Sequence, residues 1–280
     1  MVSIFGRLFG KRQEDSVARD VAVLVEPLTA PAIHLVKTAA ASRSHFGGTP
    51  NLPQGTAWPE RNGKRLGFLA RLSLSELHGA HSIDWLPNTG ALLFFYDMEE
   101  QTWGFDPKDR GSAVVLLCSD LPKAISPQSE SEENASTIPR RNIAFRRIDV
   151  IPSWERDPVR ALQLSRKEDD LFFELADNVF KTKPKHQVAG FPSPVQGDYM
   201  ELECQLVTNG LYCGSPSGYK DERAQALKPG AENWRLLFQM DTDDELGIMW
   251  GDAGTIYFWV EEQAARSGNF QNTWLILQCA

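Results

Sequence analysis

The stretch Gly48-Thr-Pro-Asn-Leu-Pro-Gln-Gly55 returns later in the chain as Gly190-Phe-Pro-Ser-Pro-Val-Gln-Gly197. Glycine, proline, glutamine and glycine occupy the same positions in both octets, and this composition is typical of turns. The agreement favours an internal repeat over coincidence. We therefore interpret the chain as two related halves, residues 45–120 and 187–280. The alternative is a chance pattern in two generic β-rich halves.

The sequence that follows each octet supports the repeat. Residues 66–72 correspond to residues 236–240, which places Arg71 opposite Gln239. A glycine turn then opens an aromatic strand in each half. The apolar runs that close the two copies are residues 114–118 and 275–279. The expected product is two β-rich units that share a core about a pseudo-twofold axis, with a ligand cleft between them.

Composition and charge limit the class of protein. The chain has 280 residues, of which 42% are apolar and 24% charged, an ordinary globular mixture. Its 29 basic and 37 acidic residues leave a net charge of −8. This charge argues against a broad nucleic-acid surface, because such surfaces need clustered cations. The four cysteines are widely spaced and form no C-x-x-C pair, so we expect free thiols in a reducing, cytoplasmic setting.

Two segments lie outside the repeated blocks. Residues 1–20 are interpreted as an N-terminal amphipathic or flexible segment, because a helix over residues 1–12 would carry apolar side chains on one side and basic ones on the other. We expect residues 1–12 to cap the core or to fray, and contact with a membrane or a partner is the second interpretation. Residues 123–141 form a polar connection. The clearest helix is predicted where Leu171, Phe172, Leu175, Val179 and Phe180 recur at helical spacing.

Several blocks resemble the YwqG-like family, a largely bacterial domain of unknown function. The resemblance is carried by Gly47-Gly-Thr-Pro-Asn-Leu-Pro53, by Gly190-Phe-Pro-Ser-Pro-Val-Gln196 and most closely by Met249-Trp-Gly-Asp-Ala-Gly-Thr-Ile-Tyr-Phe-Trp259. It covers residues 32–280 and implies an α+β fold, mainly antiparallel β-sheet with an internal duplication and a few short helices. It implies no established activity. Arg71 stands where the family usually has a glutamine, a residue type that Gln239 keeps in the second half.

The sequence contains no nucleophile elbow, P-loop, dinucleotide fingerprint or zinc-protease helix. We therefore expect no cofactor and no metal, and an enzymatic role is the less favoured one, although a catalytic triad can assemble from distant residues. His186, just before the second octet, is interpreted as a structural histidine rather than as part of a cleft.

Six residues are candidates for binding in a cleft between the halves: Gln54, Gln196, Gln239, Asp241, Trp250 and Asp252. The two octet glutamines either satisfy backbone groups near the axis or line a ligand cleft as paired amides. Asp241 begins an acidic run that we interpret as a polar turn, because a leucine takes the position of the glycine in a calcium loop. Asp252 either fixes the shape of a turn or presents a carboxylate beside an aromatic wall.

The leading hypothesis is a cytoplasmic, non-catalytic binding or protein-interaction module with an unknown protein partner. A regulatory or toxin-neutralising role follows only by analogy with the family. The acidic net charge favours a basic partner through electrostatic steering. The alternative is an enzyme or small-ligand receptor that uses the cleft between the two repeats.

Overall fold

The computed structural model describes residues 19–53, 55–118 and 138–280. The candidate Gln54, the predicted segment up to residue 18 and residues 123–137 of the polar connection lie outside the described residues. The strands are β1 (Ala30–Thr38), β2 (His45–Phe46), β3 (Glu60–Arg61), β4 (Lys64–Arg65), β5 (Gly67–Ser73), β6 (Ala91–Tyr96), β7 (Ala113–Cys118), β8 (Arg141–Val150), β9 (Gln187–Val188), β10 (Trp234–Asp241), β11 (Thr255–Glu261) and β12 (Trp274–Gln278). The helices are α1 (Val21–Val25), α2 (Leu74–Ala80), α3 (Asp157–Arg160), α4 (Arg166–Asn178), α5 (Met200–Thr208), α6 (Pro216–Lys220), α7 (Glu222–Leu227) and α8 (Glu262–Arg266).

Ten strands form one antiparallel sheet, which confirms the predicted α+β class with mainly antiparallel sheet and short helices. Their order is β12-β11-β10-β9-β1-β8-β2-β5-β6-β7, and β3 and β4 form a separate hairpin. The order is symmetric about its centre, and we call it palindromic. β1 and β8 pair in the middle, a two-residue strand flanks each of them, and a three-stranded meander forms each end. A duplicated module would produce this order, and the duplication itself stays a prediction.

Matching irregularities occur in the two meanders. The register between β5 and β6 shifts between Phe68 and Ala70, and the register between β10 and β11 shifts between Leu236 and Phe238. Each shift adds an extra residue that bends the strand and increases its local twist. The two β-bulges therefore curve the two meanders at corresponding points.

The strand that closes the second half ends one residue earlier than the sequence analysis predicts. Cys118 pairs with Ala91 in the first half, and Gln278 pairs with Thr255 in the second. The residue that corresponds to Cys118 is therefore Gln278, whereas the apolar runs alone suggested Cys279. The apolar pattern does not fix this register because all five residues of β12 are buried.

The central core joins the two meanders. The ring of Phe94 in β6 lies 4.7 Å from that of Phe238 in β10 and 5.2 Å from that of Phe258 in β11. Five strands separate β6 from β10 in the sheet order, so the sheet curls to bring these side chains together. Tyr96 and Trp250 extend the same contact at 5.8 Å. The two halves consequently share one interior.

Short helices cover the outer face of the second meander. Met200, Cys204 and Val207 of α5 pack with Trp234 and Tyr257 of β10 and β11 in a separate apolar cluster. These α5 residues recur at helical spacing, so one face of the helix is buried against the sheet.

Helix α4 begins earlier than the apolar periodicity indicates. Ser165 and Glu168 form a capping box at its first turn, and Arg19 pairs with the Glu168 carboxylate at 2.9 Å. Phe172 is buried against α1 and α3, and the helix ends at Asn178. Helix α4 is thereby fixed to the body of the protein, with one flank left uncovered.

A segment from the first half covers the outer edge of β12. Leu277 donates its backbone N–H to the carbonyl of Trp103 at 3.0 Å, and the Trp274 indole donates to the carbonyl of Gly104 at 2.7 Å. Gly104 has φ +80°, and a Cβ at this position would overlap the carbonyl oxygen of Leu275. A glycine is required here because the two backbones approach too closely for a side chain.

Candidate functional site

Gln239 is buried in β10, and both ends of its side-chain amide are engaged. Nε2 donates to the carbonyl of Lys185 at 2.8 Å, and Oε1 accepts the backbone N–H of Ser193 at 2.9 Å. In the first half, the Arg71 guanidinium makes the corresponding bond to the carbonyl of Arg43 at 2.6 Å. Gln239 therefore holds the strand β9 region and the second octet against the sheet.

The second octet is held by two further side chains that the sequence analysis did not single out. Gln278 in β12 accepts the backbone N–H groups of Val195 and Gln196 at 3.0 and 3.1 Å. The Tyr257 hydroxyl donates to the carbonyl of Ser193 at 2.7 Å. A polar residue at the end of an apolar strand run was the available signal for Gln278. The backbone of Gln196 is thus fixed, while its side chain is exposed.

Asp241 lies beside a buried polar cluster under the octet. His186 Nδ1 accepts the backbone N–H of Asp241 at 3.0 Å, and Nε2 donates to Asp243 at 3.2 Å. Lys37 pairs with the same Asp243 carboxylate at 2.6 Å. Both ring nitrogens of His186 are engaged in hydrogen bonds, so neither is free for acid–base chemistry. Through Lys37, His186 and Asp243, the cluster connects β1 with the segments next to β9 and β10.

The pKa directions in this cluster fit that structural role. Burial lowers the pKa of His186, which keeps the ring neutral. Burial acts to raise the pKa of Asp243, but the hydrogen bonds from His186 and Lys37 outweigh it and hold that pKa well below its usual range. Asp241 itself accepts the Thr255 hydroxyl at 3.0 Å. Within the described ranges, no group of three or more His, Cys, Asp or Glu residues is arranged to hold a metal ion.

Trp250 and Asp252 occupy the turn before β11. The Trp250 side chain is buried, and its indole N–H has no partner among the residues that the structure describes. Asp252 is exposed, and its backbone carbonyl accepts the N–H of Ala280 at 3.1 Å. Trp250 belongs to the core between the halves, so it is not placed on an open surface.

The candidate residues therefore occupy different environments. Gln239 and Asp241 lie in one strand, Trp250 and Asp252 in a turn, and Gln196 on the surface of the octet. Of the five that are described, Gln196 alone lines the groove that is described next. Their assignment to ligand binding stays a prediction.

A groove runs along the uncovered flank of α4. It consists of two adjoining hollows of about 600 Å³ each, which share the side chains of Trp154 and Phe172. We call this surface the α4 groove. Its residues include Trp154, Phe172, Phe173, Phe191, Val195 and Gln196 in one hollow and Val159, Gln163, Leu164 and Asp169 in the other.

Large apolar side chains in the α4 groove are open to solvent. Trp154 is 53% exposed and Phe173 is 51% exposed. The sequence signal for Phe173 was its position next to Phe172, because consecutive residues of a helix cannot both face the core. Exposed aromatic residues grouped beside a concavity are typical of interaction sites.

The charged residues of the groove are three acidic and two basic side chains, the basic ones being Arg160 and Lys185. Asp169, Glu174 and Asp177 lie on α4, and Lys185 pairs with Asp177 at 2.6 Å. The hydrogen bond from Lys185 holds the pKa of Asp177 below its ordinary value. The groove thus combines an aromatic surface with the carboxyl groups of α4.

A second concavity lies between the two halves. It has a volume of about 350 Å³ and is lined by Ile83 and Trp85 of the first half and by Trp234 and Trp259 of the second. Gly190 of the second octet also lines it. We call this concavity the interhalf cleft. It lies where the repeat predicted a cleft, but its lining includes none of the five described candidates.

No helix in the described part of the chain is long and apolar enough to cross a membrane. The model of a family described as a domain of unknown function (DUF1963) matches residues 44–279. No curated protein matches the sequence. The match covers both octets and every strand from β2 to β12.

Proposed function

This chain belongs to the family described as a domain of unknown function (DUF1963), so we propose its function from the geometry: it is a binding module whose α4 groove takes a basic, amphipathic segment of a protein partner. The single observation that carries the proposal is the exposure of Trp154 and Phe173 beside an open concavity. A binding role rather than a catalytic one is supported by His186, whose two ring nitrogens are both engaged.

The aromatic side chains supply the binding energy in this proposal. Burial of apolar surface stabilises a complex by about 25 cal/mol per Å², and tryptophan is enriched among the residues that dominate interfaces. Trp154 borders both hollows, so one bound segment that follows α4 would contact it from either side. We therefore assign Trp154 as the central anchor.

The charge of the groove selects the partner. Three carboxylates, those of Asp169, Glu174 and Asp177, line it beside the two cations of Arg160 and Lys185, and the whole chain carries a net charge of −8. Complementary charge speeds association and disfavours acidic competitors. A segment with lysine or arginine on one face and apolar residues on the other fits both properties.

The groove walls are rigid, which reduces the entropy lost on binding. Gln278 and Tyr257 hold the octet wall through hydrogen bonds to its backbone. The opposite wall, α4, is fixed at its start by the capping box of Ser165 and Glu168. A preformed site spends less of its binding energy on ordering itself.

The test uses a labelled amphipathic peptide of about fourteen leucine and lysine residues with helical periodicity. Fluorescence anisotropy with the full chain is expected to give saturable binding that weakens at high salt. Trp154→Ala should weaken binding about tenfold or more, the loss expected for a central aromatic anchor.

The matched control is Trp103→Ala, because Trp103 is 46% exposed but lies outside the groove. Binding by this variant should equal that of the unmodified chain. Equal binding by all three proteins would show that the peptide adheres without using the groove, and the proposal would be abandoned.

We also propose the finer assignments. The Trp-Gly-Asp-Ala-Gly block from Trp250 to Gly254 supports the YwqG-like name and a bacterial origin. A cytoplasmic location is supported by Cys204, Cys213 and Cys279, which form no disulfide. Duplication of an ancestral module is supported by the palindromic strand order and the matching bulges.

A further inference from the structure

The interhalf cleft contains a buried hydrogen-bond donor that has no partner. The Trp259 side chain lines the cleft and is 1% exposed, and its indole N–H meets no acceptor among the described residues. Buried polar groups in folded proteins are almost always paired, because an unpaired one destabilises the fold. An indole N–H can only donate, so what it lacks is an acceptor.

Two neighbouring tryptophans do have hydrogen-bond acceptors for their indole N–H groups. Trp234 donates to the side-chain oxygen of Gln205 at 2.9 Å, and Trp274 donates to the carbonyl of Gly104 at 2.7 Å. Trp250 also has an unpaired N–H, but it does not line the interhalf cleft. Trp259 is therefore the residue with an unpaired indole N–H among those that line this concavity, whose volume of about 350 Å³ is large enough for a small molecule.

A second donor is available at the cleft. Arg156 lines it, stacks over the Phe191 ring at 5.0 Å and bonds Asp198 and Glu201 through Nε and Nη2. Its Nη1 makes no hydrogen bond to any residue of the described ranges, and the side chain is 23% exposed. The cleft consequently offers two donors and aromatic walls.

The charges and the unpaired donor at the cleft disfavour ionic ligands. An anion near Arg156 would also meet the carboxylates of Asp198 and Glu201, which together outnumber that guanidinium. A protonated amine has no lone pair that could accept the Trp259 indole N–H. An uncharged carbonyl avoids both problems.

We propose that the interhalf cleft binds a small, uncharged, planar aromatic molecule that bears a carbonyl oxygen. The rings pack against Trp85, Trp234 and Phe191, and the carbonyl accepts a hydrogen bond from the Trp259 indole. Phe191 lines both this cleft and the α4 groove, but Trp259 does not line the groove, so the proposal stands whether or not the groove binds a peptide.

The test compares three two-ring probes against the full chain by isothermal titration calorimetry and by NMR of the indole N–H groups. The probes are 2-quinolone, which carries a neutral carbonyl, naphthalene, which lacks an acceptor, and 2-naphthoate, which is an anion. 2-Quinolone is expected to bind most tightly and to shift the Trp259 indole resonance downfield. That resonance is assigned by its loss in Trp259→Phe.

Trp259→Phe removes the N–H while keeping an aromatic ring, and should weaken 2-quinolone binding about fivefold. Trp103→Phe is the control and should bind like the unmodified chain. If Trp259→Phe does not fold, the Trp259 indole resonance is assigned instead by triple-resonance and NOE spectra of the unmodified chain, and its shift there decides the question. Equal binding of naphthalene, no binding of 2-quinolone, or an unmoved Trp259 resonance would each overturn the proposal.

Discussion

Glu203 is a buried carboxyl group whose protonation changes near neutral pH. It lies in α5, accepts the Tyr219 hydroxyl at 2.9 Å through Oε1, and leaves Oε2 buried without a partner in the described structure. Burial raises its pKa from 4.5 to about 7, although the bond from Tyr219 acts in the opposite direction. In the folded protein, Glu203 is therefore a neutral acid below that pH.

Substitution of Glu203 tests this assignment. A carboxyl whose pKa is raised by folding contributes stability below its unfolded pKa, and this contribution is lost as the pH rises through the folded pKa. Between pH 5 and pH 8 the loss from Glu203 is about 2–3 kcal/mol in the free energy of unfolding. In urea unfolding, the free energy of unfolding of the unmodified chain should fall between pH 5 and pH 8. In Glu203→Gln this fall should be smaller by that amount.

Glu222→Gln is the control for that measurement, because Glu222 is exposed on α7. It should leave the difference in stability between the two pH values unchanged. An equal pH dependence in Glu203→Gln and in the unmodified chain would contradict the raised pKa.

Residue patterns predicted some positions of the candidate sites and missed others. The octet repeat identified Gln196, and the strand alignment identified Gln239, because polar residues that recur in a motif are visible without coordinates. The exposure of Trp154 and the unpaired N–H of Trp259 depend on what packs against each ring. Such contacts come from residues far away in the chain, which no local pattern contains.

Strands β5 and β10 place different side chains in one structural role. Arg71 and Gln239 reach corresponding backbone carbonyls, those of Arg43 and Lys185. The departure of Arg71 from the family's glutamine therefore leaves this contact in place.

Exchange of the residue type between the halves tests the equivalence of these two strands. Arg71→Gln should cost less than about 1 kcal/mol, because a glutamine makes the corresponding contact in β10. Gln239→Ala should cost about 2–3 kcal/mol, since it leaves two backbone groups without their partner. Both values are measured by denaturant unfolding, and a larger loss for Arg71→Gln than for Gln239→Ala would argue against equivalent halves.

The close approach of Gly104 to the backbone of β12 gives a second prediction about one strand. Gly104→Ala should cost about 3 kcal/mol or more in thermal or urea unfolding, because its Cβ overlaps the carbonyl of Leu275 and φ is positive. Gly111 also has positive φ, +84°, but no atom lies within 4 Å of a Cβ built there. Gly111→Ala should thus cost only about 1 kcal/mol, and equal losses would contradict the close approach.

At the scale of elements, strand existence was predictable and strand bounds were less so. β6, Ala91–Tyr96, lies directly after the glycine turn that the sequence analysis placed before an aromatic strand. α4 begins at Arg166, before its apolar residues recur, because the capping box at Ser165 sets its start. The order of the strands could not be predicted, because it depends on the pairing of β1 with β8. These strands are far apart in the chain, and no local sequence pattern indicates that they pair.

The whole molecule depends on pairing between distant segments. β1 pairs with β8 from Ala30 opposite Val150 to Thr38 opposite Asn142, and the rings of Phe94 and Phe238 meet across the core. If the chain is cut between residues 118 and 138, neither of the two pieces should therefore fold without the other.

Coexpression tests this dependence. Pieces covering residues 1–118 and 138–280 should copurify and show a cooperative unfolding transition, whereas each alone should lack one. The change Phe94→Asp in the first piece should abolish the association, since it buries a charge in the shared core. Cooperative unfolding of either isolated piece would contradict the single interior.

The pairing of β1 with β8 also has a consequence for synthesis on the ribosome. β1 emerges about a hundred residues before Asn142 and the rest of its partner strand. At about 5–20 residues per second, this interval lasts roughly 5–20 s. The meander β5–β6–β7 contains its own partners and can form meanwhile, so nascent-chain chaperones that hold extended apolar segments are expected to engage β1 first.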